Sequence, residues 1–379
     1  MTDYTNIPWN DITHFGQKTL LKSHLFTVSW ITTRYCNYEC SYCWPYARSS
    51  VKDTKPLELY INTVNSIKAQ AKNNGFTDYH FSFSGGEPTA NKHFLPLVEH
   101  YCNDDAPEYQ SIHMTTNLSP GSKWWNKYLE ATKTLQRRSV TASFHDEFAK
   151  EQEFSDKCLQ LMNGGVFVTI NQVMVPEQFE EYYERCSRFA DKGINVTLKP
   201  QSDPTASRVV DGYTSEQMKK LYNGMPQRAY TEQKRKWNDR PKPKFRVNED
   251  DKYYQEHKSV PWHMQVEFRD TKGKQWYMDQ AERFNAFNFN QFCGWECSSG
   301  FRSIIIREPD GSIKRSYSCH DAPLGNIETG FKLFDKPMPC ITKSCVSSAD
   351  SKIPKRKEGA KVPLYPGDKS YEKDIFHSS

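Results

Sequence analysis

The segment Leu25-Phe-Thr-Val-Ser-Trp-Ile31, followed by Cys36-Asn-Tyr-Glu-Cys40-Ser-Tyr-Cys43, begins a repeating pattern in this chain. Its first part is a short, mainly apolar run, which is typical of a buried β-strand. Similar runs recur at Tyr79 to Phe83, Ser111 to Thr115, Val140 to Phe144, Val166 to Val173 and Asn195 to Lys199. After the first, longer interval they come about every 28 residues, the length of one βα unit. The pattern therefore predicts six βα units between about residues 20 and 200.

The segments between these runs have helical spacing. For example, Leu57, Val64, Ile67 and Ala71 can share one face of a helix. Gly164-Gly165 predicts a helix end before the fifth strand, because glycine accepts the left-handed cap conformation. Repeated βα units place the chain in the α/β class, with a parallel sheet that either curls toward a barrel or stays open and doubly wound.

Unusual polar segments follow the predicted strands. In both architectures ligands bind at the C-terminal ends of parallel strands, so these segments should meet at one mouth. They are the loop around Cys36, Ser84 to Pro88, Thr115 to Asn117, Ser143 to His145, and Lys199 to Gln201. The sequence therefore predicts one functional site at this edge of the sheet.

Composition excludes several other classes of protein. The 379 residues carry a formal net charge of only +5, which does not imply nucleic acid. The basic stretch from Lys234 to Arg246 is interpreted as a solvated loop, with contact to an acidic substrate as the alternative. No apolar run is long enough for a membrane helix, and the N-terminus lacks the features of a secretory signal. The eleven cysteines are clumped, which favours metal over disulfides and a reducing, cytoplasmic location.

Cys36, Cys40 and Cys43 form the first cysteine group. Thiolates are the soft ligands of iron-sulfur clusters, and three of them can hold a cubane while leaving its fourth iron open. An incomplete protein shell leaves a coordination position for a reacting molecule. A zinc knuckle with a distant fourth ligand, or three unliganded cysteines, remain as alternatives from spacing alone.

A second segment, Ser84-Gly85-Gly86-Glu87-Pro88, combines two glycines, which permit close backbone approach, with a carboxylate that can bind an ammonium group. Together with the cysteine loop, it resembles the radical S-adenosylmethionine (SAM) superfamily over roughly residues 24 to 200. The resemblance implies a partial (β/α)6 barrel. It also implies a 4Fe-4S cluster on the three cysteines, with SAM chelating the open iron.

The same resemblance implies a set of SAM-binding residues. Tyr42 would lie near the adenine, and Gly85, Gly86 and Glu87 would bind the methionine amine. Other polar residues stand where members of the family often contact the ribose or the carboxylate, and a purely structural role is the alternative for Ser143 and His145. These residues are Thr116, Asn117, Ser143, His145 and Asn171.

A second cysteine group lies near the C-terminus, around a predicted hairpin formed by Ser303 to Ile306, a turn at Pro309-Asp310-Gly311, and Ser312 to Ser318. It consists of Cys297, Cys319, Cys340 and Cys345. Four cysteines close a site completely, which suits electron transfer or structure. The segment resembles the twitch extension, a shortened SPASM domain that holds one auxiliary 4Fe-4S cluster. Cys293 is an alternative to Cys297 as first ligand, and a structural zinc site is the alternative to a cluster.

The resemblance implies an oxidoreductase-type enzyme. It would cleave SAM reductively to a 5'-deoxyadenosyl radical, abstract a hydrogen atom from a substrate carbon, and oxidise the substrate radical through the auxiliary cluster. Flavodoxin or ferredoxin would donate electrons. Only residues 1–24 precede the first predicted strand, which leaves no room there for a winged-helix peptide-binding module and favours a small or glycosidic substrate. A peptide-modifying maturase is the second hypothesis, and a non-catalytic iron-sulfur or zinc protein is the third.

These patterns divide the chain into five regions. They are an N-terminal lead (1–23), the partial barrel (24–200), an insertion or linker with possible substrate contacts and a helix near Ser215 to Tyr222 (201–292), the twitch-like extension with its small hairpin (293–351), and a mobile basic tail (352–379).

Overall fold

The computed structural model describes most of the chain. Its described residues are 6–17, 20–21, 23–44, 49–52, 54–103, 110–204, 208–225, 266–278, 289–319, 323–345 and 347–370. The predicted basic stretch from Lys234 to Arg246 lies outside them.

The described residues form sixteen strands and seven α-helices. The strands are β1 (Ile12–Gln17), β2 (Leu25–Ile31), β3 (Asp78–Ser84), β4 (Gln110–Thr116), β5 (Arg137–Phe144), β6 (Phe167–Met174), β7 (Asn195–Pro200), β8 (Val266–Asp270), β9 (Gln275–Met278), β10 (Glu296–Cys297), β11 (Ser303–Arg307), β12 (Ser312–Lys314), β13 (Pro323–Asn326), β14 (Gly330–Phe331), β15 (Met338–Pro339) and β16 (Lys355–Arg356). The helices are α1 (Leu57–Asn73), α2 (Phe94–Cys102), α3 (Ser122–Ala131), α4 (Glu151–Asn163), α5 (Phe179–Asp191), α6 (Ser215–Asn223) and α7 (Ser348–Ser351).

Strands β2 to β7 lie side by side in chain order, and each pairs with the next in parallel. An α-helix connects each pair, so the six predicted βα units are confirmed as a parallel sheet. Burial alternates along the strands; in β6 every second residue is buried and the others are partly exposed. The buried face packs against the helices, as when Tyr60, Val64 and Ile67 of α1 join the main core. Closure of this sheet into a partial barrel stays a prediction.

The predicted hairpin extends this same sheet. Strand β11 pairs in parallel with β2, and β12, β13 and β14 follow in antiparallel order, which gives a sheet of ten strands. The second strand of the hairpin ends at Lys314, four residues before the predicted end at Ser318. The boundary predicted at residue 293 therefore separates segments that share one sheet.

A second sheet, which the sequence did not predict, has the strand order β15-β10-β16-β1-β8-β9. It draws strands from the N-terminal lead, the 201–292 segment, the extension and the supposed tail. The expectation of a mobile tail is wrong here: Lys355 and Arg356 form β16, and only 1% and 3% of their surfaces are exposed. Their charges are tolerated inside because hydrogen-bond partners surround them, including Asp368, 2.9 Å from the Arg356 guanidinium.

Aromatic rings fill the space against one face of this second sheet. Phe15 and Phe292 stack with ring centroids 5.4 Å apart, and Phe268 and Phe289 complete the group. Three of the four cysteines of the second group belong to the same core. Among the described helices, none is long and apolar enough to cross a membrane.

Candidate functional site

The first cysteine group lies on the loop that follows β2. Cys40 is buried, whereas Cys36 and Cys43 are partly exposed. The Cys43 amide donates to the Cys40 carbonyl at 3.0 Å, and the Tyr38 amide donates to the Cys36 sulfur at 3.4 Å. Burial, then the charges of Glu147, Cys36 and Cys43, raise the pKa of Cys40 to about 12. The three thiols therefore lie near enough to interact with one another.

The two glycines after β3 pack against the start of this loop. A Cβ atom at Gly85 would lie 2.2 Å from the Thr33 carbonyl oxygen, and one at Gly86 would lie 2.2 Å from that of Tyr35. The amides of Gly86 and Glu87 donate to the same two oxygens, each at 2.8 Å. Glycine is required at both positions because any side chain would push the cysteine loop away.

The Glu87 side chain is only 1% exposed, and its carboxylate points into the protein. It accepts hydrogen bonds from the Thr89 amide (3.0 Å) and hydroxyl (2.7 Å), the Thr116 hydroxyl (2.8 Å) and the Asn117 amide (2.6 Å). Burial raises the pKa of Glu87, while these bonds act to lower it. Three of these bonds go to Oε1 and one, from the Asn117 amide, goes to Oε2, so Oε2 keeps room for a further donor. The contact with the methionine amine expected of this side chain stays a prediction; within the protein, the carboxylate connects the segment after β3 to the end of β4.

Asn117 connects that end of β4 to the cysteine loop. Its side-chain amide lies 3.9 Å from the Cys36 sulfur and donates to the Asn37 side chain at 3.0 Å. Thr116 and Asn117 were expected to contact SAM, and the structure gives both of them contacts that position Cys36 and Glu87. Asn37 has no sequence signal of its own, apart from its place inside the cysteine motif.

Residues that follow β5 contact the other side of the cysteine loop. The Tyr42 hydroxyl lies 2.9 Å from His145 Nδ1, and the two rings are nearly parallel with centroids 6.0 Å apart. Burial lowers the pKa of His145 to about 4, so the imidazole is neutral at pH 7, and burial also raises the pKa of Tyr42. Glu147, which the sequence analysis missed, accepts bonds from the Ser41 amide (3.0 Å) and hydroxyl (2.7 Å).

Ser143, Asn171 and Thr197 stand side by side on β5, β6 and β7. Paired residues of parallel strands project to the same face, here the one turned away from the helices. All three are partly exposed. Thr197 was missed because a threonine within a strand carries no special signal.

The same face is polar further down the strands. His80 Nδ1 lies 2.8 Å from the Ser111 hydroxyl, and His113 Nδ1 lies 2.9 Å from the Ser139 hydroxyl. The Thr141 hydroxyl is 3.3 Å from His113 Nε2. Burial, Arg137 and Lys352 lower the pKa of His113 to about 4, yet its side chain is partly accessible. These observations describe a recessed polar face on which both imidazoles are neutral, with the cations Arg137 and Lys352 near enough to act on them.

The second cysteine group is enclosed. Cys297, Cys319, Cys340 and Cys345 are each 5% exposed or less, whereas Cys293 is exposed. Burial, then the charge of Cys297, raises the pKa of Cys340 to about 11, and burial raises that of Cys345 to about 12, with Cys297 and Cys340 adding to the shift. Cys319 also interacts with Cys297. Cys297 therefore lies near enough to the other three thiols to interact with each of them, whereas Cys293 is exposed at the surface.

Both groups are compatible with iron-sulfur clusters in their donor chemistry: each presents converging thiols, and Cys36 receives an N–H donor of the kind that stabilises a ligating thiolate. A single Zn²⁺ ion needs all its thiolates about 2.3 Å from one centre. In the part of the chain that the structure describes, no group of three or more His, Cys, Asp or Glu side chains is arranged to hold a single metal ion.

Residues 30–199 match the family model of the Radical SAM superfamily. This segment, with its parallel βα units and the cysteine loop, is therefore a Radical SAM domain. A Radical SAM domain in this segment supports an enzyme and implies a 4Fe-4S cluster and SAM as cofactors.

Individual proteins are similar to parts of the chain. Over 85 residues it is 34% identical to GTP 3',8-cyclase of Pasteurella multocida (strain Pm70), covering 22% of this chain and 24% of that protein. The match thus spans about a quarter of that relative's length. Native anSMEcpe with bound AdoMet has 15% identity and a TM-score of 0.48, covering 81% of this chain and 79% of that chain. Streptococcus suis SuiB bound to precursor peptide SuiA has 15% identity and a TM-score of 0.42, covering 78% and 60%.

Proposed function

We propose that this chain is a radical SAM enzyme in which Cys36, Cys40 and Cys43 bind a 4Fe-4S cluster, and SAM chelates the open iron of that cluster. The main support is the way in which three strand ends hold one cysteine loop. Gly85 and Gly86 fit against its start, and Asn117 reaches Cys36. When bound, the cluster would supply the electron that cleaves SAM, and the resulting 5'-deoxyadenosyl radical would take a hydrogen atom from a substrate carbon.

The residues around the loop have separable roles in this proposal. Gly85 and Gly86 would offer backbone atoms to the methionine amine, and Glu87 Oε2, which accepts one bond from the Asn117 amide, would accept another from it. The neutral His145 fixes the Tyr42 ring, which would lie near the adenine. Ser143 and Asn171 lie on the sheet face turned away from the helices, where they would form hydrogen bonds with the ribose hydroxyls of SAM.

Cys297, Cys319, Cys340 and Cys345 would bind an auxiliary 4Fe-4S cluster in a twitch-like extension. Their common burial supports a fully ligated cluster, and the exposure of Cys293 favours Cys297 as the first ligand. Such a cluster would accept an electron from the substrate radical, which makes the net reaction a two-electron oxidation. Flavodoxin or ferredoxin remains the proposed electron donor to the first cluster, with the chain in the cytoplasm.

The recessed sheet face favours a small or glycosidic substrate over a peptide. Its side chains include hydroxyls and uncharged imidazoles, and these recognise neutral hydroxyl groups by hydrogen bonds. Incubation with candidate substrates deuterated at defined carbons tests this idea. Deuterium in 5'-deoxyadenosine would identify both the substrate and the position that is attacked.

The assignment of the first cluster is tested by Cys40→Ala in the anaerobically reconstituted enzyme. Production of 5'-deoxyadenosine should be abolished, with Cys158→Ala, at a cysteine buried in α4, as the matched control. Undiminished production by the Cys40 variant would refute the proposal. Metal analysis addresses the non-catalytic alternative: about eight irons per chain fits two cubanes, whereas zinc without sulfide would contradict the enzyme.

A further inference from the structure

Lys355, in the segment expected to be a mobile tail, is one of the most deeply buried charged residues in the described chain, with 1% exposure. In the second sheet it lies directly opposite Cys297 on β10 and opposite Phe15 on β1. Residues opposite each other on antiparallel strands have Cβ atoms about 5 Å apart and project to the same face. The Lys355 side chain therefore shares the face that carries Cys297 and the aromatic core.

The Lys355 ammonium makes three hydrogen bonds, all to backbone carbonyl oxygens. They are those of Asp350 (2.9 Å), Ser351 (3.2 Å) and Ile353 (2.9 Å). The centroids of the Phe15 and Phe292 rings lie 5.4 and 5.0 Å from the Lys355 Nζ atom. The nitrogen is thus fully hydrogen-bonded and fixed in place.

Those three carbonyl oxygens carry no formal charge, but the buried Asp350 carboxylate lies near enough for the charge of Lys355 to counteract the rise in its pKa that burial causes. The Asp350 carboxylate accepts instead from the Ser318 amide (2.7 Å) and hydroxyl (2.9 Å). A buried ammonium ion needs an opposite charge nearby, and Asp350 supplies one such charge. The charge of Lys355 acts on both Cys340 and Cys345, and these belong to the group of four thiols opposite the lysine.

We propose that Lys355 compensates the negative charge of the iron-sulfur cluster bound by the second cysteine group and raises its reduction potential. A cubane with four thiolates is an anion in both oxidation states, and reduction adds one more negative charge. A fixed positive charge beside it stabilises the reduced form more than the oxidised form. This inference rests on the auxiliary cluster of the proposed function. Lys355 is a tuning residue in it and contacts no substrate.

The test uses the full-length chain with Cys36, Cys40 and Cys43 changed to alanine, so that only the second cluster can form. The reduction potential of the reconstituted protein is measured by EPR spectroscopy during titration with dithionite. Lys355→Met removes the charge at similar side-chain length, and Lys355→Arg retains it. Lys68→Met is the control: Lys68 is a buried lysine between the Tyr79 and Tyr101 rings, outside the second sheet.

We expect Lys355→Met to shift the potential to a more negative value, while Lys355→Arg and Lys68→Met stay close to the parent protein. If Lys355→Met loses iron while Lys355→Arg keeps it, the charge is needed to hold the anionic cluster, which also supports the proposal. An unchanged potential in an iron-replete Lys355→Met protein would overturn it. Absence of any iron-sulfur signal in the parent would overturn the auxiliary cluster itself, a distinct result.

Discussion

The two cysteine groups occupy opposite kinds of surroundings. The first lies on a loop at the edge of a polar sheet face, and two of its three cysteines, Cys36 and Cys43, are partly exposed. All four cysteines of the second are buried, and three of them lie within an aromatic core. Polar side chains from β4 and β5 support the first loop, whereas buried cations and aromatic rings surround the second group. Access and charge, more than cysteine spacing, distinguish them.

This difference separates two kinds of chemistry. A site that binds a reacting molecule needs an approach route and polar groups to orient the ligand. A site that only passes electrons gains from burial, because a closed shell shields a cluster from water and fixes its potential. In the proposed function, the first group is the reaction site and the second group transfers electrons.

The largest expected effect comes from removing each group in turn. The Cys36, Cys40 and Cys43 to alanine variant should lose about four irons, the content of one cubane, and all SAM cleavage. Cys345→Ala should also lose about four irons but should still cleave SAM, with little oxidised product. Iron analysis and quantification of 5'-deoxyadenosine check both. Loss of SAM cleavage in a folded Cys345→Ala protein would break the proposed division of roles.

Glu87→Gln tests whether the first group depends on its polar support. Glu87 Oε2 accepts only from the Asn117 amide, whereas the other oxygen accepts from Thr89 and Thr116. A glutamine that keeps the latter bonds must turn its NH₂ group toward the Asn117 N–H, so two donors face each other. We expect SAM affinity or turnover to fall about 10- to 100-fold, as for other residues that orient metal ligands.

Binding measurements and 5'-deoxyadenosine assays would show this loss. Glu99→Gln, at an exposed position in α2, is the control and should behave as wild type. Equal activity in the two variants would mean that the Glu87 network does not position the cysteine loop.

The sequence predicted the first region well because its signals are local. Each strand from β2 to β7 is a short run with its own alternation, and the motif at Cys36 lies within eight residues. The second sheet has no such signal: β16 is two residues long and pairs with β1, more than 300 residues earlier. Nothing local distinguishes the buried Lys355 from a solvated lysine. The inward turn of Glu87 likewise depends on Thr116 and Asn117, thirty residues away.

Arg356→Met should strongly destabilise the second sheet, in which Arg356 forms part of β16. Arg356 and Asp368 form a buried ion pair at 2.9 Å, with 3% and 0% of their side chains exposed. Removing one partner leaves a buried charge uncompensated, which typically costs about 3–5 kcal/mol of unfolding free energy. Denaturant unfolding measures this change. Lys133→Met, in the exposed pair with Glu130, should change stability by less than about 0.5 kcal/mol; similar values for the two variants would contradict a packed C-terminal segment.

The smallest expected effect concerns His113 on the recessed polar face, and it is a change in the pH dependence of folding stability. Burial lowers the pKa of His113 from 6.5 to about 4 in the folded chain. Above pH 6.5 the residue is neutral in both the folded and the unfolded states. As the pH falls from 6.5 toward 4, only the unfolded chain takes up this proton, so folding stability is lost at up to about 1.4 kcal/mol per pH unit.

His113→Gln removes that contribution, so its unfolding free energy should fall less steeply than that of the wild type between pH 7 and pH 5. Denaturant unfolding at the two pH values gives the comparison, and His80, present in both proteins, cancels from the difference. Parallel pH dependences would mean that water reaches His113 freely enough to charge it. The imidazoles of the recessed face could then no longer be described as neutral, and the preference for a neutral, hydroxyl-bearing substrate would lose its support.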